Sequence, residues 1–327
     1  MSIYKRKETW WIQFTAPDGS RIQQTAGTQI KQEAQELHDQ LKAEAWRVKN
    51  LGVKPRYTWQ ETVIRWLTEQ SHKKSIETDK ELLRWLNTHL KNNKLDEINK
   101  AKIDAIKSAK QSEGVSNGTV NRMLALLRSI LNRARLDWEW LDTTPKIRLL
   151  PVKSIRIRWL TKDEVKRLLN ELPDHLNAMA RFALATGLRE SNVTGLQWSQ
   201  VDMQRKCAWI HADQAKPEKA IGVPLTDEAL IVIRQQIGKH DMHVFTYEGK
   251  PVTRANNHAW RKALARAGIR DFRWHDLRHT WASRHVQNGT LLHVLKELGG
   301  WADLTMVLRY GHLSSKHLEE YAGNSKL

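Results

Sequence analysis

Apolar positions along the chain change period several times, and each change marks an expected element. Residues 10–15, WWIQFT, and 21–25, RIQQT, read as short β-runs joined by APDGS, where Asp18-Gly19 is a strong hairpin turn signal. Residues 31–49 then carry Ala, Leu and Trp at helical spacing, and Gly52 followed by Pro55 predicts the end of that helix and a linker. From 58 to 140 the pattern is helical throughout. Trp59/Val63/Trp66/Leu67, Leu82/Leu83/Leu86/Leu90 and Leu124/Leu127/Ile130/Leu131 recur at three- and four-residue spacing, which predicts an all-α bundle with its tryptophans on the apolar stripe. A second linker, PKIRLLPVKSIRIRW, combines two prolines with alternating Lys153, Arg156 and Arg158 and reads as an extended basic strap. Thr161-Lys162-Asp163-Glu164 is a capping box that opens another helix, and short strands are expected around 207–211, 222–225 and 244–247. The expected organisation is multidomain: a small β-sheet plus helix module at 1–54, an all-α domain at 55–150, and a mainly α (α+β) domain at 151–327.

Charge narrows the class of partner. The 327 residues hold 54 Lys+Arg against 36 Asp+Glu, a formal net charge of +18. Basic residues outnumber acidic ones 9 to 6 in residues 1–54, 18 to 12 in 55–150 and 27 to 18 in 151–327, so the excess is spread over every segment. A basic tail would concentrate it; this distribution suits a chain lying along a polyanion, with the 153–158 strap crossing a DNA backbone. The single cysteine, Cys207, cannot close an internal disulfide and fits a reducing compartment. No apolar run reaches the roughly 18 residues needed to span a bilayer, and MSIYKRKETWW lacks the apolar core of a signal peptide. A cytoplasmic, nucleoid-associated protein without membrane contact is expected.

The segment HDLRHTWASRH, residues 275–285, spaces three histidines as an extended zinc-protease motif would. Three features oppose that reading. Asp276 is one methylene shorter than the glutamate needed to reach a metal-bound water. Ala282 stands where a glycine must turn the chain back. Without that turn His285 lies about 80° around a helix and ~15 Å along it from His275, too far to share one ion. A phosphate site suits the same residues, because His275 and Arg278 project from one helix face and a guanidinium offers a planar fork of donors to phosphate oxygens.

Upstream, ATGLRESNVTGLQW ends an apolar helix at Gly187 and follows it with Arg189; downstream lies ELGGWADLTMVLRYGHLS. Taken in this order, TGLR, HDLRHTWAS, GGW and RYGHL resemble the tyrosine recombinases, also called the phage integrase family. The resemblance implies that Arg189, His275 and Arg278 bind the scissile phosphate, that Trp301 fills the family's penultimate His-or-Trp position, and that Tyr310 is the nucleophile. The hairpin lysine before Val-Pro-Leu would be Lys216, with Lys219 as its competitor. Trp301 can donate through its indole N–H but cannot exchange a proton at neutral pH, so its expected role is positioning. Asn192 stands where the family usually has a glutamate, and Glu190 directly follows the arginine. Residues 1–54 resemble the arm-type DNA-binding module of temperate-phage integrases, and 55–150 their core-binding domain.

The activity so implied is site-specific DNA recombination through a 3′-phosphotyrosyl intermediate, without metal, ATP or other cofactor. Lys216 would protonate the departing 5′-oxygen, and His275 would assist the proton on the tyrosine side. Double-stranded attachment-site DNA, a homotetramer on that DNA and accessory DNA-bending proteins are the implied partners. Two rivals share the fold: a catalytically inactive DNA-binding regulator, and a topoisomerase-like nicking and closing enzyme. His279, His285, His312 and His317 are expected in packing or DNA contact. Of the five tyrosines, Tyr310 follows the helix-spaced Leu304/Val307/Leu308, which would pack it on the core while Gly311 frees the next bond. Tyr247 reads as a buried strand residue.

Overall fold

The computed structural model describes residues 2–152, 157–214 and 220–313, and the chain divides into two compact units, Met1–Ser154 and Ile155–Leu327.

The first unit opens with an antiparallel meander, β1 (Ser2–Arg6), β2 (Thr9–Thr15) and β3 (Arg21–Thr25), in that order in the sheet. Strand β1 has no counterpart in the sequence reading, because SIYKR pairs one edge of β2 and alternates too weakly to stand out. Ile12 and Phe14 are buried on one face of β2, where Leu37 and Leu41 of helix α1 (Lys31–Leu51) pack against them. Gly52 then ends the helix in the left-handed conformation. Alternation along the strands places Tyr4, Trp11, Gln13 and Gln23 on the opposite face. Helices α2 (Trp59–Glu69), α3 (Ile76–Leu90), α4 (Lys100–Ser112) and α5 (Asn117–Leu136) form the bundle. Trp59 and Trp66 lie in its core, and a complete capping box at Thr58/Glu61 starts α2.

The second unit contains α6 (Lys162–Glu171), α7 (Asp174–Thr186), α8 (Glu190–Thr194), β4 (Val201–Asp202), β5 (Cys207–Ile210), β6 (Ile221–Pro224), α9 (Asp227–Arg234), β7 (Thr246–Tyr247), β8 (Lys250–Pro251), α10 (His258–Arg266), α11 (Asp276–Gln287), α12 (Leu292–Gly299) and α13 (Thr305–Leu308). Strands β4, β5 and β6 make an antiparallel sheet, and β7 with β8 a two-residue ribbon. The strand expected at 244–247 is therefore only two residues long. Val244 and Phe245 are core residues, whereas Tyr247 is 50% exposed, because the ribbon turns it outward next to Glu248. The capping box at Thr161/Glu164 opens α6. The main core packs α7, α9, α10 and the sheet together, while Trp281, Val286, Leu295, Trp301, Val307 and Tyr310 form a second cluster around α11.

Candidate active site

Three stretches of the second unit converge on α11. The first is the corner after α7, where Gly187 takes φ 66° and lies so close to Trp281 that a Cβ would collide with its ring. Only glycine lets the chain turn there, and the turn places Arg189 at the head of α8. The second is the start of α11, with His275 exposed at the rim and Arg278 buried one turn further on. The third runs from the end of α12 through Trp301 to Tyr310. A Cβ on Gly299 would strike the Trp301 indole, so the glycine lets that ring fold back.

Arg278 is anchored by backbone rather than by a carboxylate. Its Nη1 donates to the Gly187 carbonyl at 2.6 Å and its Nη2 donates to the Gly299 carbonyl, tying the first and third stretches together. The Trp301 ring lies 4.0 Å from the guanidinium carbon, a cation–π contact made through the indole face rather than its N–H. Arg189 is half-buried, and its buried Nη1 has no hydrogen-bond partner among the described residues. Glu190 does not supply one: its Oε1 accepts from the backbone N–H groups of Ala255 and Asn256, each at 2.8 Å. Asn192 is buried, and its own Nδ2 has no partner among the described residues.

Burial pushes the Arg278 guanidinium down to about 9, helped by the charge of Arg189, and burial alone lowers Arg189. Both stay protonated at neutral pH. Among the described residues neither has an ion-pair partner. His275 is held below its usual range by partial desolvation and then by Arg278.

Tyr310 is 1% exposed. Burial pushes its phenol up to about 12 against the opposing pull of Arg278 and Arg309. The group on the phenol is His279, whose Nδ1 lies 2.5 Å from Tyr310 Oη; among the described residues no such bond reaches His275. The tyrosine-side position expected for His275 is thus occupied by a histidine assigned to packing or DNA contact. Nothing in HDLRHTWASRH signals this, since the contact spans 31 residues of sequence.

The remaining expectations divide. Lys216, Lys219, Lys153, Arg156 and His317 lie outside the described residues. Arg158 is paired with Glu164, Nη2 to Oε1 at 2.5 Å and Nη1 to Oε2 at 3.2 Å, so its charge is already balanced. His285 bonds Thr290 Oγ1 and packs on Trp281, while His312 is exposed. Val307 alone of the Leu304/Val307/Leu308 trio is buried, because α13 makes a single turn and shows one side to the core. Gly311 opens a 3₁₀ turn, Gly311–Leu313, without a positive φ. Among the described residues no group of three or more His, Cys, Asp or Glu side chains could hold a metal, and no helix is long and apolar enough to cross a membrane.

Comparison with known proteins places this geometry. Residues 158–317 match the model of the phage integrase family, and residues 2–50 match that of the phage integrase N-terminal domain. The integrase of Salmonella phage P22 is 43% identical, over 98% of this chain and 93% of its own length. The chain belongs to the phage integrase family. It is a tyrosine site-specific recombinase. The integrase of Escherichia phage 186 is 30% identical over 63% of this chain and 60% of its own. Solved structures show the same fold. The lambda integrase dimer bound to a COC′ core site superposes with a TM-score of 0.65 at 16% identity, over 94% of each chain. The Tn1549 transposon integrase in complex with transposon right end DNA gives 0.67 at 16% identity, over 76% of this chain and 93% of that one.

Proposed function

We propose that this recombinase integrates and excises a phage or related mobile element by cutting and rejoining double-stranded DNA at attachment sites, with Tyr310 as nucleophile. The observation that carries this reading is the meeting of two guanidiniums, Arg189 and Arg278, with a tyrosine in one site, neither paired with a carboxylate among the described residues. A phosphodiester gains negative charge on its non-bridging oxygens as it is attacked, so preorganised cations stabilise the transition state more than the ground state. Arg189 supplies Nη1, which has no partner among the described residues, and Arg278 the rest of its fork. His275, exposed at the rim, donates to the phosphate, and Trp301 holds Arg278 in place from its ring face.

Attack by the Tyr310 oxygen forms a 3′-phosphotyrosyl ester and releases a 5′-hydroxyl, to which Lys216 gives the proton. The ester conserves the bond energy, so a 5′-hydroxyl from a second DNA can reverse the step and rejoin strands without ATP. A tetramer on paired sites, helped by accessory DNA-bending proteins, would bring the partners together. In the N-terminal module, the sheet face bearing Tyr4, Trp11, Gln13 and Gln23 would lie against arm-type DNA.

The reading is tested with two DNA molecules carrying the attachment sites, incubated with protein, chelator and no nucleotide. Recombinant joints that disappear in Arg189→Ala, while DNA binding persists, support it. Relaxation of one supercoiled circle without exchange between two molecules would make the protein a nicking and closing enzyme instead.

A further inference from the structure

We infer that His279 is the base that receives the Tyr310 proton: Nδ1 takes it as the phenol oxygen attacks phosphorus, and returns it when a 5′-hydroxyl expels the tyrosine. The inference rests on Tyr310 being the nucleophile proposed above. Geometry is its first support. Nδ1 and Oη are 2.5 Å apart, within reach for direct transfer, and both residues are buried, so the proton need not pass through bulk water.

The tautomer follows from the surroundings. Nε2 of His279 lies 4.0 Å from Asp276 Oδ1, and Asp276 is itself buried and accepts from the Arg273 backbone N–H. A carboxylate on that side favours hydrogen on Nε2, leaving the lone pair on Nδ1 facing the phenol. The phenol O–H therefore donates to Nδ1. Groups around the imidazole keep it unprotonated at rest. His275, Arg278 and Arg273 lie on or just before α11, Arg309 follows α13, and Asp276 is the opposing carboxylate. Burial first, then His275 and the arginines, hold His279 down at about 4.

Need is the second support. With the phenol pushed up to about 12, only roughly one molecule in 10⁵ would carry phenolate at pH 7. A transfer coupled to attack avoids that penalty. Once the phosphate's negative charge is shared with the arginines, an imidazolium beside Asp276 is a reasonable resting place for the proton. The balance is complete: the O–H bond of Tyr310 breaks, an N–H bond forms on His279, the tyrosine oxygen gains phosphorus, and the 5′-oxygen leaves with a proton from Lys216.

The test uses the full chain on a nicked substrate that traps the covalent adduct in a single turnover. Asn at position 279 can accept the phenol hydrogen bond but cannot hold its proton. His279→Asn should form adduct about a hundredfold more slowly at pH 7 with DNA affinity within twofold of the parent. Its rate should climb close to tenfold per pH unit from 6 to 9, where the parent is flat. Placing sulfur at the 5′-bridging position gives a leaving group that needs no proton, since a thiol ionises near ~8.5. That substrate should rescue Lys216→Ala and leave His279→Asn slow. A parent-like, flat profile in His279→Asn, or its rescue by sulfur, overturns the assignment. His279→Gln repeats the test should the Asn variant melt early. Tyr310→Phe run alongside separates the two claims: residual adduct there would remove the nucleophile itself, whereas its absence together with a normal His279→Asn removes only the base.

Discussion

Helices α5 and α11 are both buried, and for opposite reasons. In α5 the buried residues are Val120, Met123, Leu124, Leu126, Leu127, Ile130, Leu131 and Ala134, an apolar stripe that faces the bundle core while arginines and polar side chains take the other side. In α11 the buried set runs almost all the way round and includes Asp276, Arg278, His279, Thr280 and Ser283. Burying apolar surface stabilises a fold, whereas burying ions costs several kcal/mol unless partners offset it. Helix α11 meets that cost only in part. Arg278 is satisfied by two carbonyls, Thr280 donates to the Asp276 carbonyl and accepts from the Leu160 N–H, yet Ser283 Oγ and, on the neighbouring stretch, Arg189 Nη1 have no partner among the described residues. One helix holds its unit together; the other is held by its unit.

Exchanging the insult between these helices should give the largest contrast. Arg278→Ala should slow adduct formation by about a thousandfold, whereas Leu127→Ala should leave the single-turnover rate of the folded fraction within twofold. In denaturant the order reverses, with Leu127→Ala costing about 2–5 kcal/mol. Equal catalytic losses in the two variants would erase the distinction.

Acid sharpens it next. The folded protein holds His279 down at about 4 while an unfolded imidazole protonates near 6.5. Its contribution is therefore whole above pH 6.5 and is lost as the pH falls from there through 4. About 3 kcal/mol should drain over that window, and His279→Asn should flatten the decline in urea titrations at stepped pH. A decline of the same size in the variant would assign the acid sensitivity elsewhere.

The smallest effect is a control for sameness. Thr58 and Thr161 head complete capping boxes, one in each unit. Thr58→Ala and Thr161→Ala should each cost about 1 kcal/mol by chemical denaturation, with no change in cleavage. A much larger cost at Thr161 would show that the second unit is brittle beyond α11.

What was legible in the sequence follows the same divide. The bundle could be read because Leu124, Leu127 and Leu131 repeat on one face, and burial there is decided by local periodicity. The site could be read only as a set of motif residues: Arg189, His275, Arg278, Trp301 and Tyr310 were named from TGLR, HDLRH, GGW and RYGHL. How they meet was not readable. Arg278 is fixed by carbonyls of Gly187 and Gly299, and a backbone carbonyl leaves no trace in residue identity. His279 is one residue from Arg278 and so points about 100° away from it, toward a tyrosine 31 positions later. Tyr247 would be buried if VFTY were a whole strand, but the ribbon covers only its last two residues.

The central claim is that the phenol of Tyr310 becomes covalently joined to DNA, and one measurement addresses it most directly. The adduct formed on a nicked substrate is digested with protease and nuclease, and the peptide carrying the nucleotide is fragmented by mass spectrometry. A single modified residue, Tyr310, is expected, with no adduct at all from Tyr310→Phe protein that still binds DNA. A nucleotide found on Tyr321 or Tyr247, or an adduct surviving in Tyr310→Phe, would contradict it.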